Sequence, residues 1–276
     1  MSSAYARWWE GRIEWDKISA LSRNIARTIW LHVPEEKPAS GPPDTEAKQH
    51  AITLLHAFAV ALKHHLRGQR DWDSLGELKG LLTHLPHYHM ASGADCTNHP
   101  IQITLHLAAY LEHVRTTRTL DTQVFTHLLL YMDSLTACIS ACERLLRTPI
   151  PLGYNIAISR IVWIFVLVLP SQLYDTLGWM SVGVTMLTAY VLFALSEVGL
   201  EIENPWGEGP NNLDLDRYCL LIAFDLADIT MQPRREYERW IHEPRHPVYD
   251  PSALIGMGRA AFAPLGDSTE TVDSLV

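Results

Sequence analysis

Leu177–Ser196 reads LGWMSVGVTMLTAYVLFALS, without one charged side chain. At about 1.5 Å per residue, a helix of this length spans roughly 30 Å, the thickness of a bilayer's hydrocarbon core. Just ahead lies a second apolar stretch, Ile161–Tyr174 (IVWIFVLVLPSQLY), separated from the first by only Asp175 and Thr176. On its own that stretch has the length of a buried core helix. It reaches spanning length by extending back through Arg160 to about Leu152. An arginine near a helix end snorkels to the interface or faces a polar cavity in a bundle. The pattern favours a membrane hairpin over a buried helical hairpin.

Outside the hairpin the chain has the composition of a soluble protein. Of 276 residues, 47% are hydrophobic and 19% charged, and the formal net charge is −9. A net negative chain with no Lys/Arg block lacks the basic face that phosphate contacts require, which argues against nucleic acid as a partner. The start, SSAYARWWEGR after Met1, is aromatic and charged and has no secretory signal pattern. Cys96, Cys138, Cys142 and Cys219 form no CxxC pair. Cys138 and Cys142 stand one helical turn apart, as core residues do, so reduced thiols on a cytosolic face are expected.

Helical spacing extends through nearly the whole chain. Ser2–His32 reads as one long helix, and Pro34–Asp44 (PEEKPASGPPD) as a loop, because its prolines block helix continuation. Thr45–Arg67 repeats apolar positions at Ile52, Leu55, Ala59 and Leu62 or Leu66. Asp71–Leu85 is a short helix capped by Asp71 or Asp73, and His84–Pro100 is irregular. Ile101–Val114 and Leu120–Leu146 are again periodic, and Thr148–Pro151 breaks the chain before the hairpin. Beyond it, Asn204–Asn212 (NPWGEGPNN) is rich in turn residues. Asn212 has the chemistry of an N-cap for Leu213–Met231, with Asp214 and Asp216 in the first turn, where the helix dipole favours anions. The rest is a Pro-, Gly- and polar-rich tail with an acidic end. Strand signals are nearly absent. The fold class is all-α.

Four blocks in a fixed order carry a resemblance. The first is Ser3-Ala4-Tyr5-Ala6-Arg7-Trp8-Trp9-Glu10-Gly11-Arg12, followed by Ser22-Arg23-Asn24. The second is Ile150-Pro151-Leu152-Gly153-Tyr154. The third is Leu177-Gly178-Trp179 with Leu187-Thr188-Ala189-Tyr190. The fourth is Glu201-Ile202-Glu203-Asn204-Pro205-Trp206-Gly207 with Asn212-Leu213-Asp214-Leu215-Asp216. Together they resemble the bacterial and fungal branch of the bestrophin family of anion channels, over about residues 2–230.

That resemblance implies a homopentamer of helical subunits round one central pore, through which small anions, chloride above all, move passively. It implies five regions: the lower part of a pore-lining helix (1–33), a cytosolic helical bundle (34–147), a membrane hairpin (148–204), a cytosolic helix (205–232) and a mobile tail (233–276). Tyr5, Arg7, Trp8, Trp9, Glu10 and Arg12, with Ile150, Pro151, Tyr154, Asn204, Pro205, Trp206 and Gly207, are expected to be structural motif residues. Glu10 is a candidate salt-bridge partner for Arg7 or Arg12. The family's first membrane helix and the apolar neck of its pore lie upstream of the Tyr-x-Arg-Trp-Trp block. Here that block begins at Tyr5, which implies that the neck is missing, through a truncated gene reading or a shortened paralogue.

Passive conduction needs weak, replaceable partners for a dehydrating anion and a constriction that closes by dewetting. Counting back from Tyr154, the resemblance puts the cytosolic constriction at Met132, in LLLYMDSL, with Leu128 or Leu129 one turn away. Core filling is the competing role for Met132. The animal branch holds gating calcium in an acidic cluster after the corresponding turn. Here only Glu208, Asp214 and Asp216 are near, too few for a hard-cation site, so no calcium clasp is expected. His84, His87 and His89 with Cys96 and His99 have loop spacing suited to zinc, but no acidic or cysteine partner completes a recognised pattern. No metal, cofactor or enzymatic activity is expected. The alternatives are a non-conducting truncated scaffold or modulatory subunit and, less favoured, a membrane-associated metal-binding helical protein. A multi-pass location follows from the resemblance, in the plasma membrane before an internal one.

Overall fold

The computed structural model describes residues 2–34, 44–69, 76–83, 98–117 and 120–231. Among these it contains eight helices: α1 (Ser2–His32), α2 (Asp44–Leu66), α3 (Gly76–Thr83), α4 (His99–Thr117), α5 (Thr122–Arg147), α6 (Leu152–Leu177), α7 (Met180–Glu201) and α8 (Leu215–Thr230). The expected bounds hold to within one to three residues for α1, α2, α4 and α5. The caps Asp71 and Asp73, most of the expected loop after Pro34, the residues His84, His87, His89 and Cys96, and the tail 233–276 lie outside the described residues.

The core forms where α1, α2, α4, α5 and α8 pack together. On α1, Trp15, Ile18, Ser22, Ile25 and Ile29 recur every three or four residues, as the inward face returns, and all are buried. Their stripe meets Leu128, Leu135, Cys138 and Cys142 of α5 on one flank and Leu215, Cys219, Ile222 and Leu226 of α8 on the other. Leu55, Phe58 and Leu62 of α2 close the core together with Leu107 and Leu111 of α4. The thiols of Cys138, Cys142 and Cys219 are free and buried.

One cap differs from the sequence reading. The N-cap of α8 is Asp214, whose carboxylate accepts the backbone N–H of Arg217 at 3.0 Å, and the helix begins at Leu215. Asn212 instead closes the preceding loop. With its amide nitrogen turned inward it donates to the carbonyls of Glu201 and Asn204, 3.0 and 3.3 Å away. Both residue types suit an N-cap. The buried Leu213, whose N–H is bonded to the carbonyl of Pro205 at 3.0 Å, holds the chain in the loop two residues longer.

The hairpin has a different character. α6 and α7 pack on each other and touch the core only lightly, through α1. Gly178, at φ +54°, turns the chain between them at an angle that glycine accepts without strain. α6 starts at Leu152, so the backward extension through Arg160 holds.

Candidate functional site

Among the described residues, three helices are long and apolar enough to cross a membrane: α5, α6 and α7. They are not alike. In α5, 28% of the apolar window is buried inside the subunit, whereas none of it is in α6 or α7. The hairpin therefore shows its surroundings a nearly continuous apolar wall of Ile156, Ile158, Ile161, Ile164, Leu167 and Met186. Exposed aromatic residues mark both ends, Tyr154 at the base and Tyr174 and Trp179 at the tip. Tyr154 and Tyr174 are separated by about 30 Å along α6, matching the two polar–apolar interfaces where such rings settle.

The base of the hairpin is tied to the core by two motif residues. The Glu203 carboxylate accepts the backbone N–H of Ile150 at 2.9 Å and the side-chain amide of Asn155 at 3.0 Å. It thereby holds the chain just before α6 and a side chain of its first turn, although Pro151 leaves the helix without a side-chain cap. Arg7 donates its Nε–H to the backbone carbonyl of Glu203 at 3.2 Å, and its other nitrogens to the carbonyls of Leu145 and Thr148. A cation on those carbonyls suits the negative end of the α5 dipole. Arg7 and Glu203 thus join the start of α1, the end of α5, the start of α6 and the end of α7.

The turn that follows is seated on α1. Trp206 is buried against Gly11, where a Cβ would lie 3.1 Å from the indole, so only glycine admits the ring without displacement. Trp8 donates its indole N–H to the carbonyl of Asn211 at 3.1 Å. Tyr5 stacks on Trp8, and Trp8 on Trp9, while Tyr5 and Trp9 remain exposed. The predicted pairings of Glu10 are corrected. It pairs with Arg144 of α5; Arg12 pairs with Asp16 and lies over the Tyr218 ring, 4.6 Å from its centre; Arg7 is used by the carbonyls.

The carboxylates after the turn are engaged by side-chain cations. Asp216 accepts from Lys63 at 2.7 Å and from Arg67 at 2.8 Å. Lys63, nearly fully buried, also holds Glu77 at 2.5 Å, and Arg67 lies 4.0 Å from Glu208. Burial opposes the charge on Asp216, yet Lys63 and Arg67 together hold its carboxyl below the ordinary range. Among the described residues no group of three or more His, Cys, Asp or Glu side chains is placed to hold a metal ion. Lys63 and Arg67 escaped the sequence reading; their sign there is two cations one helical turn apart at the end of α2.

Met132 sits with Leu128 and Leu135 on the buried face of α5, 6% exposed. At the same level the open face belongs to Leu129 and Leu130. Met132 thus fills the core of the subunit, and Leu129 and Leu130 are the open side chains beside it.

The family model for bacterial and fungal bestrophin proteins matches residues 1–228. The chain belongs to the bestrophin family. It is 36% identical over 229 residues to a voltage-dependent anion channel-forming protein of Nostoc sp., an alignment covering 83% of this chain and 71% of the relative. A protein of the same description from Synechocystis sp. is 33% identical over 235 residues, covering 84% and 72%. In fold the chain is similar to crystal structures of a bacterial bestrophin homolog from Klebsiella pneumoniae. One of these aligns with TM-score 0.69 and 24% identity, covering 84% of this chain and 81% of that one. As a bestrophin, the chain is an all-helical membrane protein. Of its motif residues, Arg7 and Glu203 join the hairpin to the core, and Trp8, Gly11 and Trp206 seat the turn that follows.

Proposed function

We propose that the chain is one subunit of a passive anion channel, a homopentamer round a central pore that conducts chloride among small anions. The observation that carries this reading is the bare apolar hairpin of α6 and α7 on a chain of the bestrophin family, two of whose relatives are named anion channel-forming proteins. The hairpin crosses the membrane with both ends on the cytosolic side, and the plasma membrane is its location. α1 to α5 and α8 form the cytosolic part. α5 stays there despite its apolar length, because its inward face is committed to α1 and its outward face carries Asp133, Ser134 and Ser140.

The cytosolic constriction lies on α5 at the level of Met132; of the two open side chains there, Leu129 and Leu130, the family resemblance offers Leu129 for the passage. Five leucines in a ring close such a passage by dewetting. The test is chloride efflux from liposomes reconstituted with the 276-residue chain, after sizing of the detergent-extracted particle. A pentamer-sized particle with flux is expected. Leu129→Glu is expected to change conduction without changing particle size, whereas Met132→Glu buries a charge and is expected to lower the yield of folded protein. A monomeric particle without flux sinks the channel reading and leaves the non-conducting scaffold.

A further inference from the structure

The legs of the hairpin border a groove beside the joint. Its volume is about 450 Å³, and it lies between α6 and α7 with Ser3 and Ala4 of α1 at its base. Toward the tip it ends at the rings of Trp163 and Phe193, which pack 4.9 Å apart. The size is that of pockets that take small organic molecules. Ile158, Val162 and Leu192 make its walls mainly apolar.

The polar groups in this groove differ from those elsewhere in the hairpin. Ser171, Thr176, Thr185 and Thr188 each donate to a carbonyl three or four residues back in their own helix, as hydroxyls in an apolar span do. Ser159 and Ser196 line the groove, and among the described residues neither hydroxyl makes a hydrogen bond. Asn155 gives its amide nitrogen to Glu203, which leaves its side-chain oxygen as a further acceptor in the lining. Glu197 lines the groove too, and among the described residues its carboxylate has no cationic partner.

The lining therefore offers acceptors and a negative charge, with no Lys, Arg or His side chain among the described residues. That excludes an anion as its ligand, and one carboxylate is too little for a hard metal ion. Glu197 stands four residues inside the end of α7, about 6 Å below it. A carboxylate at such a depth is costly unless it is paired. The level is beneath the phosphate groups of a bilayer, so a phospholipid head does not bring its ammonium there. A free amine with an apolar body does.

We propose that this groove is a binding site for a hydrophobic primary amine taken up from the bilayer. Its ammonium sits on the Glu197 carboxylate and the hydroxyls of Ser159 and Ser196, and its apolar body lies between the legs against Trp163 and Phe193. A primary ammonium has three N–H donors for these acceptors. Hydrogen bonds between ionised groups are stronger than neutral ones, and more so away from water.

The site rests on the membrane placement of the hairpin proposed above, so that placement is tested first. The full chain is reconstituted in phosphatidylcholine vesicles, and the Trp163 fluorescence is taken as the difference between wild type and Trp163→Phe. Phosphatidylcholine with brominated acyl chains is expected to quench it. No quenching refutes the membrane placement and the site with it. With quenching established, ω-bromododecylamine and ω-bromododecanol are compared in unbrominated vesicles, each by its mole fraction in the membrane. The amine is expected to quench Trp163 at about threefold lower mole fraction than the alcohol, the size of one partly exposed charge pair. Glu197→Gln is expected to abolish that advantage and Glu197→Asp to keep most of it. Ser196→Leu, which fills the groove and leaves the charge in place, is expected to abolish it as well. Equal quenching by amine and alcohol in the wild type overturns the proposal, as does an advantage that survives Glu197→Gln or Ser196→Leu.

Discussion

Cys219 shows how burial decides chemistry at the scale of one residue. Its thiol is enclosed between α8 and the helices beneath, and burial pushes its pKa up to about 12. Only the thiolate reacts with alkylating reagents, so at pH 8 the folded protein is expected to modify Cys219 about a thousandfold more slowly than the unfolded chain. Site-resolved mass spectrometry after timed iodoacetamide treatment checks this; equal rates in the two states contradict it. That Cys138 and Cys142 are core residues was legible from their spacing of one helical turn, whereas Cys219 carried no such sign. That Met132 is one too was not legible either, because Leu128, Leu129, Leu130 and Met132 are all apolar and periodicity does not say which face of α5 is shut. Packing against α1 decides it.

Among the elements, the joint at the hairpin base concentrates the most connections per residue. Arg7 supplies donors to three carbonyls from two helix ends, and charged hydrogen bonds of this kind contribute about 1.5–3 kcal/mol each when well made. Because Arg7 is only half-buried, Arg7→Ala is expected to destabilise the protein by roughly 2–3 kcal/mol in total. Thermal unfolding in detergent reads this directly. A loss below about 0.5 kcal/mol, the range of ordinary surface substitutions, refutes the capping role. The sequence marked Arg7 through its motif but gave it the wrong kind of partner. Glu10 was the near neighbour in sequence, whereas carbonyls from α5 and α7 are the neighbours in space.

For the molecule as a whole, the buried polar edge of α2 makes stability depend on pH. Burial lowers the pKa of His56 and of His64 below the ordinary 6.5. Glu77 opposes the shift at both sites and Gln69 opposes it at His64, while Lys63 adds to it at both and Arg67 at His64. Both histidines therefore take up a proton more readily in the unfolded chain. Stability is full above about pH 6.5 and declines as pH falls through the folded values. Asp216, held below the ordinary carboxylate range, adds a further loss at lower pH as Lys63 and Arg67 lose their partner. Melting temperature measured from pH 8 to pH 4 is expected to be flat at first and then to fall. His56→Gln combined with His64→Gln is expected to flatten the upper part of that fall; an unchanged profile in the double variant assigns the loss elsewhere. The sequence by itself determined the helical class, the apolar hairpin of membrane-spanning length and the family, because those depend on runs and spacings along the chain, which need no partner to be read. The tertiary structure alone decided that Asp214 caps α8, that Glu10 reaches Arg144, that Lys63 and Arg67 neutralise Asp216, and that Met132 faces inward. Each of these depends on which distant groups meet, and helices of similar composition pack together in many ways until shape and charge at the contacts select one.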